Sequence, residues 1–260
     1  MTPLAVDLFC GLGGWTEGLL AEGYTVVGFD NERHVYGDER YPAQLVLQDV
    51  LTIHGRQFKD AALIVASPPC QAYSYRAMPW KRAKALPPPD NSLFDACFRI
   101  QREASEAAGH HIPLVVENVC GAQKWVGRAR WHFGSFYLWG DVPALMPITK
   151  AHRKGPIKGT GKQFCAVRLD QIEGAKMPIG DATRSDKGRS AALQSYDRLR
   201  EDIKQGGDWF NKASGNSISR RCSSRSKARK AASAMIAKIP LVLSRHIAAA
   251  WYPMEKAASA

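Results

Sequence analysis

Through the first half of the chain, apolar runs of strand length alternate with amphipathic stretches, and the alternation stops near Asp141. Leu4 to Phe9 reads as a strand, Gly11 to Gly14 as a turn, and Trp15 to Glu22 as a short helix closed by Gly23. Tyr24 to Phe29 then gives a second strand ending in Asp30, which completes a βαβ unit. Further strands are expected at Ala43 to Leu47, Ala61 to Ala66, Pro113 to Glu117 and Ser135 to Trp139, with Ser92 to Ala108 as an amphipathic helix. The pattern predicts an α/β fold, a doubly wound parallel sheet whose ligands bind at the carboxyl ends of the strands.

Beyond Asp141 the pattern dissolves into Pro, Gly, Lys and Arg, with weak helical periodicity only at Ala191 to Gln205. From Lys227 helical spacing resumes in Ala231 to Lys238 and, after Pro240, in Leu241 to Trp251. Three regions result: 1–142, 143–225 and 226–260. A chain of 260 residues can bury one full α/β core and carry a small lobe.

The net charge of +12 sharpens that division. Residues 1–142 carry 13 Lys+Arg and 15 Asp+Glu (−2), residues 143–225 carry 17 and 8 (+9), and residues 226–260 carry 6 and 1 (+5). A basic middle region beside a near-neutral core suits a polyanion, because neutralised phosphates release counterions. No apolar run approaches the roughly 20 residues of a membrane span, and no leader is recognisable, so no membrane partner is expected. The six cysteines form no CxxC pair, which argues against a zinc site or a disulfide framework and fits a reducing cytoplasm.

Candidate chemistry concentrates in Ser67-Pro68-Pro69-Cys70-Gln71-Ala72-Tyr73-Ser74, which follows the strand at Ala61 to Ala66. Two prolines fix φ near −65° and withhold two backbone donors, so the direction of the Cys70 thiol is set before any ligand arrives. The Gly-rich turn after the first strand lets a ligand approach backbone that a Cβ would block. Asp30, at the end of the second strand, stands where a carboxylate can accept bonds from vicinal ribose hydroxyls.

Three segments in this order carry a family resemblance. Asp7-Leu8-Phe9-Cys10-Gly11-Leu12-Gly13-Gly14 resembles the first motif of the DNA cytosine-5 methyltransferases, Pro68 to Gln71 the fourth, and Val115-Val116-Glu117-Asn118-Val119 the sixth. The resemblance implies a Rossmann-like S-adenosylmethionine-dependent fold, with 1–142 as the catalytic, cofactor-binding domain. It makes 143–225 a small basic target-recognition region, and 226–260 a helical segment returning to the catalytic domain. It also implies transfer of a methyl group from S-adenosylmethionine to C5 of cytosine in double-stranded DNA, by a monomer that flips its target base. Cys70 would add to C6, Glu117 would share a proton near N3 and N4, and Asn118 would brace the Cys70 loop. Asp7, Phe9, Gly11, Gly13, Gly14, Asp30, Asn31, Asp49 and Pro68 would line the cofactor, with Asp49 as adenine acceptor. Asn31 stands where many relatives carry a stacking apolar side chain.

Nucleic acid is expected to meet the segment after Cys70. Gln71, Tyr73, Ser74, Tyr75 and Trp80 interleave there with Arg76, Lys81, Arg82 and Lys84, offering stacking faces and phosphate partners. Lys150, Arg153, Lys154 and Lys158 extend that surface into the basic region. Arg128-Ala129-Arg130 has the letters of the family's arginine pair, although the strand expected at Ser135 begins only after a gap, so helix-face contact with phosphate is the other reading. Two variants of the activity stay open: RNA as substrate, as in the family's tRNA-directed member, and transfer of a carboxylated alkyl group if the Lys238 ammonium faces the cofactor. A phage or restriction-modification setting is the expected context.

Overall fold

A computed structural model describes residues 2–74, 86–146 and 237–253, residues 230, 231 and 234, and the backbone of the strands Lys154–Pro156 and Gln163–Cys165. The chain divides into two compact units, one of Met1–Pro147 with Leu241–Ala260, the other Ile148–Pro240. The first unit contains β1 (Leu4–Leu8), α1 (Gly14–Ala21), β2 (Thr25–Asp30), β3 (Val35–Tyr36), β4 (Glu39–Arg40), β5 (Gln44–Leu47) and β6 (Ala61–Ala66). It continues through α2 (Ser92–Ala108), β7 (Leu114–Asn118), α3 (Gln123–Val126), β8 (Trp131–Phe133), β9 (Phe136–Gly140) and α4 (Leu241–Ala250).

Seven of these strands form one sheet in the order β5-β2-β1-β6-β7-β9-β8. The pairs from β5 to β7 are parallel, whereas β9 runs antiparallel to both of its neighbours. The strand order moves outward from β1 through β2 to β5, then returns to β6 on the other side, which makes the β1/β6 junction a topological switch point. Residues alternate between the faces. Val6, Leu8, Ile64, Ala66, Leu114 and Val116 pack against Phe94, Cys97, Ile100 and Ala104 of α2, each large side chain contributing about 1.5–3 kcal/mol by burial. On the opposite face α1 docks, and α4 packs on α1 so closely that a Cβ at Gly18 would overlap the Ser244 hydroxyl and the Arg245 backbone. Helices therefore cover both faces, and the fold is a doubly wound, Rossmann-like α/β sheet.

The strands at Leu4, Ala61 and Leu114 and the helix Ser92–Ala108 stand where the apolar pattern puts them. Tyr24 lies outside β2; it is buried, and its hydroxyl donates to Ala248 O of α4 at 3.0 Å. The hairpin of β3 with β4 and the three-residue β8 carry no pattern of their own, since pairing rather than periodicity makes them. The periodicity at Ala191 to Gln205 lies outside the described residues. Lys238 N donates to Ala234 O at 3.1 Å, consistent with the helical spacing before Pro240.

Candidate active site

Every strand from β5 to β7 in the parallel part of the sheet delivers a candidate residue at its carboxyl end. Leu8 pairs with Phe29 and with Ala66, Asp30 with Leu47, and Ala66 with Val116. The glycine turn, Asp30, Asp49, the Cys70 loop and the Glu117–Asn118 pair thus share one edge of the sheet.

On the β1 side, Phe9 adopts φ 58°, left-handed backbone that costs a non-glycine residue of order 1–3 kcal/mol, and its half-buried ring packs against the core. Gly11 (φ 51°) and Gly13 (φ 79°) carry the turn into α1 at Gly14. Among the described residues nothing lies within 4 Å of the position a Cβ would take at Gly11, whereas one at Gly13 would strike the Pro42 ring at 2.5 Å. The turn is closed from below at Gly13 and open at Gly11. Asp30 Oδ2 accepts from Gly11 N at 2.9 Å and Oδ1 from Glu32 N at 3.2 Å, with His34 Nε2 3.6 Å from Oδ1. Burial pushes the Asp30 carboxyl up, but these hydrogen bonds outweigh it and hold the group below the ordinary carboxylate range. A charged acceptor is thereby kept beside the open turn.

Asp49 is exposed, and its Oδ1 caps a 3-10 turn by accepting from Leu51 N at 2.9 Å. Asn31 is exposed as well. Asp7 requires a correction. Its carboxylate is wholly buried, so it does not face a ligand; Oδ2 accepts from the Thr16 hydroxyl at 2.6 Å, and Thr16 in turn meets the Tyr41 hydroxyl at 2.7 Å. Oδ1 has no partner among the described residues, and burial, with Asp30 nearby, raises the carboxyl to about 7. Asp7 ties the turn to α1 from beneath.

On the β6 side, Pro68 is buried, Pro69 exposed and Cys70 half-buried. Cys70 O accepts from Tyr73 N and Ser74 N, both at 3.0 Å, closing a tight turn immediately after the thiol. Ser67, just before the prolines, accepts from Trp15 Nε1 of α1 at 3.0 Å. The loop is therefore pinned on both flanks of Cys70. Glu117 and Asn118 end β7 and are buried, at 9% and 1% exposure. Asn118 Nδ2 donates to Pro68 O at 3.0 Å, and Asn118 Oδ1 accepts from Val119 N at 2.8 Å. The expected brace between the cysteine loop and the carboxylate strand is thus a direct hydrogen bond.

Tyr73 also requires a correction. Its ring is 3% exposed and its hydroxyl donates to Asn91 Oδ1 at 2.9 Å, so it packs in the core and offers no stacking face. Gln71 is exposed and Ser74 half-exposed beside it. Arg76, Lys81 and Arg82, with Tyr75, Trp80 and Lys84, and likewise Lys150, Arg153 and Lys158, lie outside the described residues; Lys154 is described only as backbone of a short strand paired with Gln163–Cys165. Arg128 and Arg130 are exposed, and Arg130 N donates to Leu138 O at 2.8 Å, which carries the ladder back from β8. β8 begins directly after Arg130, ahead of β9 at Phe136–Gly140. Thr16, Tyr41, Trp15 and Ser67 escaped sequence reading because their roles arise from contacts across the fold.

Residues 4–124 match the family model for C-5 cytosine-specific DNA methylase. That part of the chain is thus similar to C-5 cytosine-specific DNA methylases. The match runs from β1 into α3 and takes in the glycine turn, the Cys70 loop and Glu117–Val119. Among solved structures the chain is similar to an E. coli prophage-encoded protein assigned as a DNA modification methyltransferase, at 22% identity, TM-score 0.34, over 48% of this chain and 34% of that one. It is also similar to Entamoeba histolytica methyltransferase EhMeth, at 17% identity, TM-score 0.31, over 48% and 40%. With S. pombe Dnmt2 methyltransferase the identity is 12%, the TM-score 0.45, and the coverage 96% and 98%. The chain thus spans about a third of the length of the E. coli protein. No curated protein matches the sequence.

Proposed function

We propose that the protein transfers a methyl group from S-adenosylmethionine to C5 of cytosine in DNA, acting as a monomer on a base flipped out of the duplex. The observation that carries this reading is the Asn118–Pro68 hydrogen bond, which fixes the nucleophile's loop against the strand that ends in Glu117. Cytosine C5 is a poor nucleophile until something adds to C6, so a soft thiolate and an acid must act on one ring together. Cys70 Sγ bonds to C6 while Glu117 holds a proton at N3, drawing electron density toward the nitrogen and leaving C5 able to take the methyl group. Loss of the C5 proton to solvent then expels Cys70 as a thiolate while the N3 proton returns to Glu117, so each transfer releases one proton. A base inside stacked duplex is out of reach of a half-buried thiol, which is the reason for flipping, at about a few kcal/mol.

The residues present fit the cofactor. Space above Gly11, an ionised Asp30 beside it and the exposed Asp49 farther along the edge suit the methionine end, ribose and adenine of S-adenosylmethionine in turn. When bound, that group supplies an electrophilic methyl on sulfonium.

Purified protein, labelled S-adenosylmethionine, and duplex DNA or tRNA as acceptor test the reading. Label in DNA at cytosine C5, and a covalent adduct with duplex containing 5-fluorocytosine, are expected. Label in tRNA alone would replace DNA by RNA as the substrate, and a carboxylated nucleoside from a carboxylated cofactor that is lost in Lys238→Ala would assign Lys238 to cofactor choice. Bisulfite sequencing of host DNA after expression gives the recognition site.

A further inference from the structure

The sheet edge beyond β7 carries a surface that the proposed reaction leaves without a role. Asn118 pairs with Tyr137, and Tyr137 pairs with His132, so these three residues form one row across β7, β9 and β8 and lie on one face. His132 is exposed and stacked on Tyr137, with ring centroids 4.8 Å apart and planes 14° from parallel. Gly134 O lies 3.3 Å from His132 Nδ1 and can accept only if that nitrogen carries the hydrogen, which leaves Nε2 for an outside partner. Arg130 stands two residues earlier on the same strand side, exposed. The arch from Val119 to Arg130 passes over this face, where Trp139 Nε1 donates to Gly127 O at 2.9 Å. The arch presents exposed Arg128 and also Lys124, whose Nζ lies 4.4 Å from the Trp125 ring centre.

Charge separates this edge from the rest of the first unit. From Asn118 to Gly140 the chain has Lys124, Arg128 and Arg130 and no Asp or Glu, within a half of the molecule whose net charge is −2 (13 Lys+Arg, 15 Asp+Glu over residues 1–142). The next carboxylate, Asp141, is engaged at the other end of β7 by Leu114 N at 2.8 Å and by His111 at 3.0 Å. A cationic strip with a stacked aromatic pair is the chemistry of a nucleic-acid contact: cations meet phosphates and ring faces meet bases. His132 stands two strand spacings from Asn118, roughly 10 Å, so it is placed for nucleotides beside the target rather than for the target itself.

Resting on the proposed cytosine methylation, we infer that Lys124, His132 and Tyr137 form a ledge that holds the DNA strand flanking the flipped cytosine. The ledge adds a binding surface within the first unit, independent of the basic region 143–225.

The test uses the full chain and duplex DNA containing 5-fluorocytosine. His132→Ala is expected to weaken DNA binding by about 5- to 100-fold through lost stacking, and Lys124→Ala to lower the salt slope of binding by about 0.9. Single-turnover transfer at saturating DNA is expected to stay at the wild-type rate in both variants, and S-adenosylmethionine affinity to stay unchanged. A wild type trapped by the fluorinated duplex, with both variants binding as tightly and with the same slope, would overturn the ledge and leave the activity standing. A wild type that is not trapped would overturn the methylation reading and the ledge with it.

Discussion

Asn118 and Pro68 are joined by a 3.0 Å hydrogen bond from Nδ2 to the proline carbonyl, while the other end of the same amide accepts from Val119 N at 2.8 Å. One side chain thereby ties the end of β7 to the loop that carries Cys70. Asn118→Ala leaves a buried carbonyl unpaired, which costs about 1–3 kcal/mol, and frees the loop. Asn118→Asp is worse, because an acceptor then faces an acceptor. Both variants are expected to lower the melting temperature and the rate of covalent trapping, in the order alanine then aspartate, with S-adenosylmethionine affinity retained. Trapping at the wild-type rate in both would reduce Asn118 to a turn residue.

Cys70→Ala is expected to abolish methyl transfer and adduct formation while fold and cofactor binding persist, since the half-buried thiol makes little of the core. Glu117→Gln preserves shape but loses the acid, and a rate loss of about 10² or more is expected at unchanged DNA affinity. Residual turnover in the cysteine variant removes the covalent mechanism. A defect confined to affinity moves Glu117 to binding.

What could be read from the sequence was whatever depends on neighbours in the chain. The run Ala61 to Ala66 and the helix Ser92 to Ala108 declare themselves by local pattern, and the motifs around Gly11, Cys70 and Glu117 by fixed spacing. Tyr73 misled because interleaving with cations suggests a surface, whereas its fate was decided by Asn91, 18 positions away. Asp7 misled in the same way: the motif puts it beside the glycines, but the side-chain alternation of β1 turns it under α1 toward Thr16. His132 and Tyr137 became neighbours only through the β8–β9 register, in a strand too short to show a period.

Gly18→Ala tests the docking of the C-terminal helix. The added Cβ would meet the Ser244 hydroxyl and the Arg245 backbone, and a helix cannot yield there without separating α1 from α4. Although alanine is the better helix former, overpacking is expected to dominate and to destabilise by about 1–3 kcal/mol. The Arg245–Glu22 ion pair at 2.6 Å, being exposed, offsets little of that. Denaturant midpoints compared with Glu22→Ala decide it: a glycine variant no worse than the ion-pair variant would mean that the helices adjust freely.

Asp30→Ala removes the acceptor of the Gly11 amide and, in the proposed site, the ribose contact. Charge-assisted bonds of that kind contribute about 1.5–3 kcal/mol, so S-adenosylmethionine should bind about 10- to 150-fold more weakly by calorimetry. Unchanged affinity would transfer the ribose to the neighbouring Glu32.

Asp7 makes stability depend on pH with an unusual sign. Its folded carboxyl is raised to about 7 from 3.8, first by burial and then by Asp30, so between these values the folded state holds a proton that the unfolded chain has lost. Stability from this group is complete below pH 4, falls as pH rises toward 7, and is level above that, with a full span of about 4 kcal/mol at 1.36 kcal/mol per unit. Paired carboxylates elsewhere act in the opposite direction; Asp30, held below its usual value, loses its contribution as pH falls. The informative quantity is therefore a difference. Subtracting wild-type from Asp7→Asn unfolding free energy at each pH should give a curve that rises from pH 4 to 7 and then flattens, because asparagine keeps the Thr16 contact without ionising. The span should grow in Thr16→Val, where Asp7 has lost the hydroxyl that favours its ionised form and stays protonated to still higher pH. A flat difference curve would mean that the Asp7 carboxylate is stabilised as an ion, by a donor reaching Oδ1, and that the glycine turn is held by a charge rather than by a neutral acid.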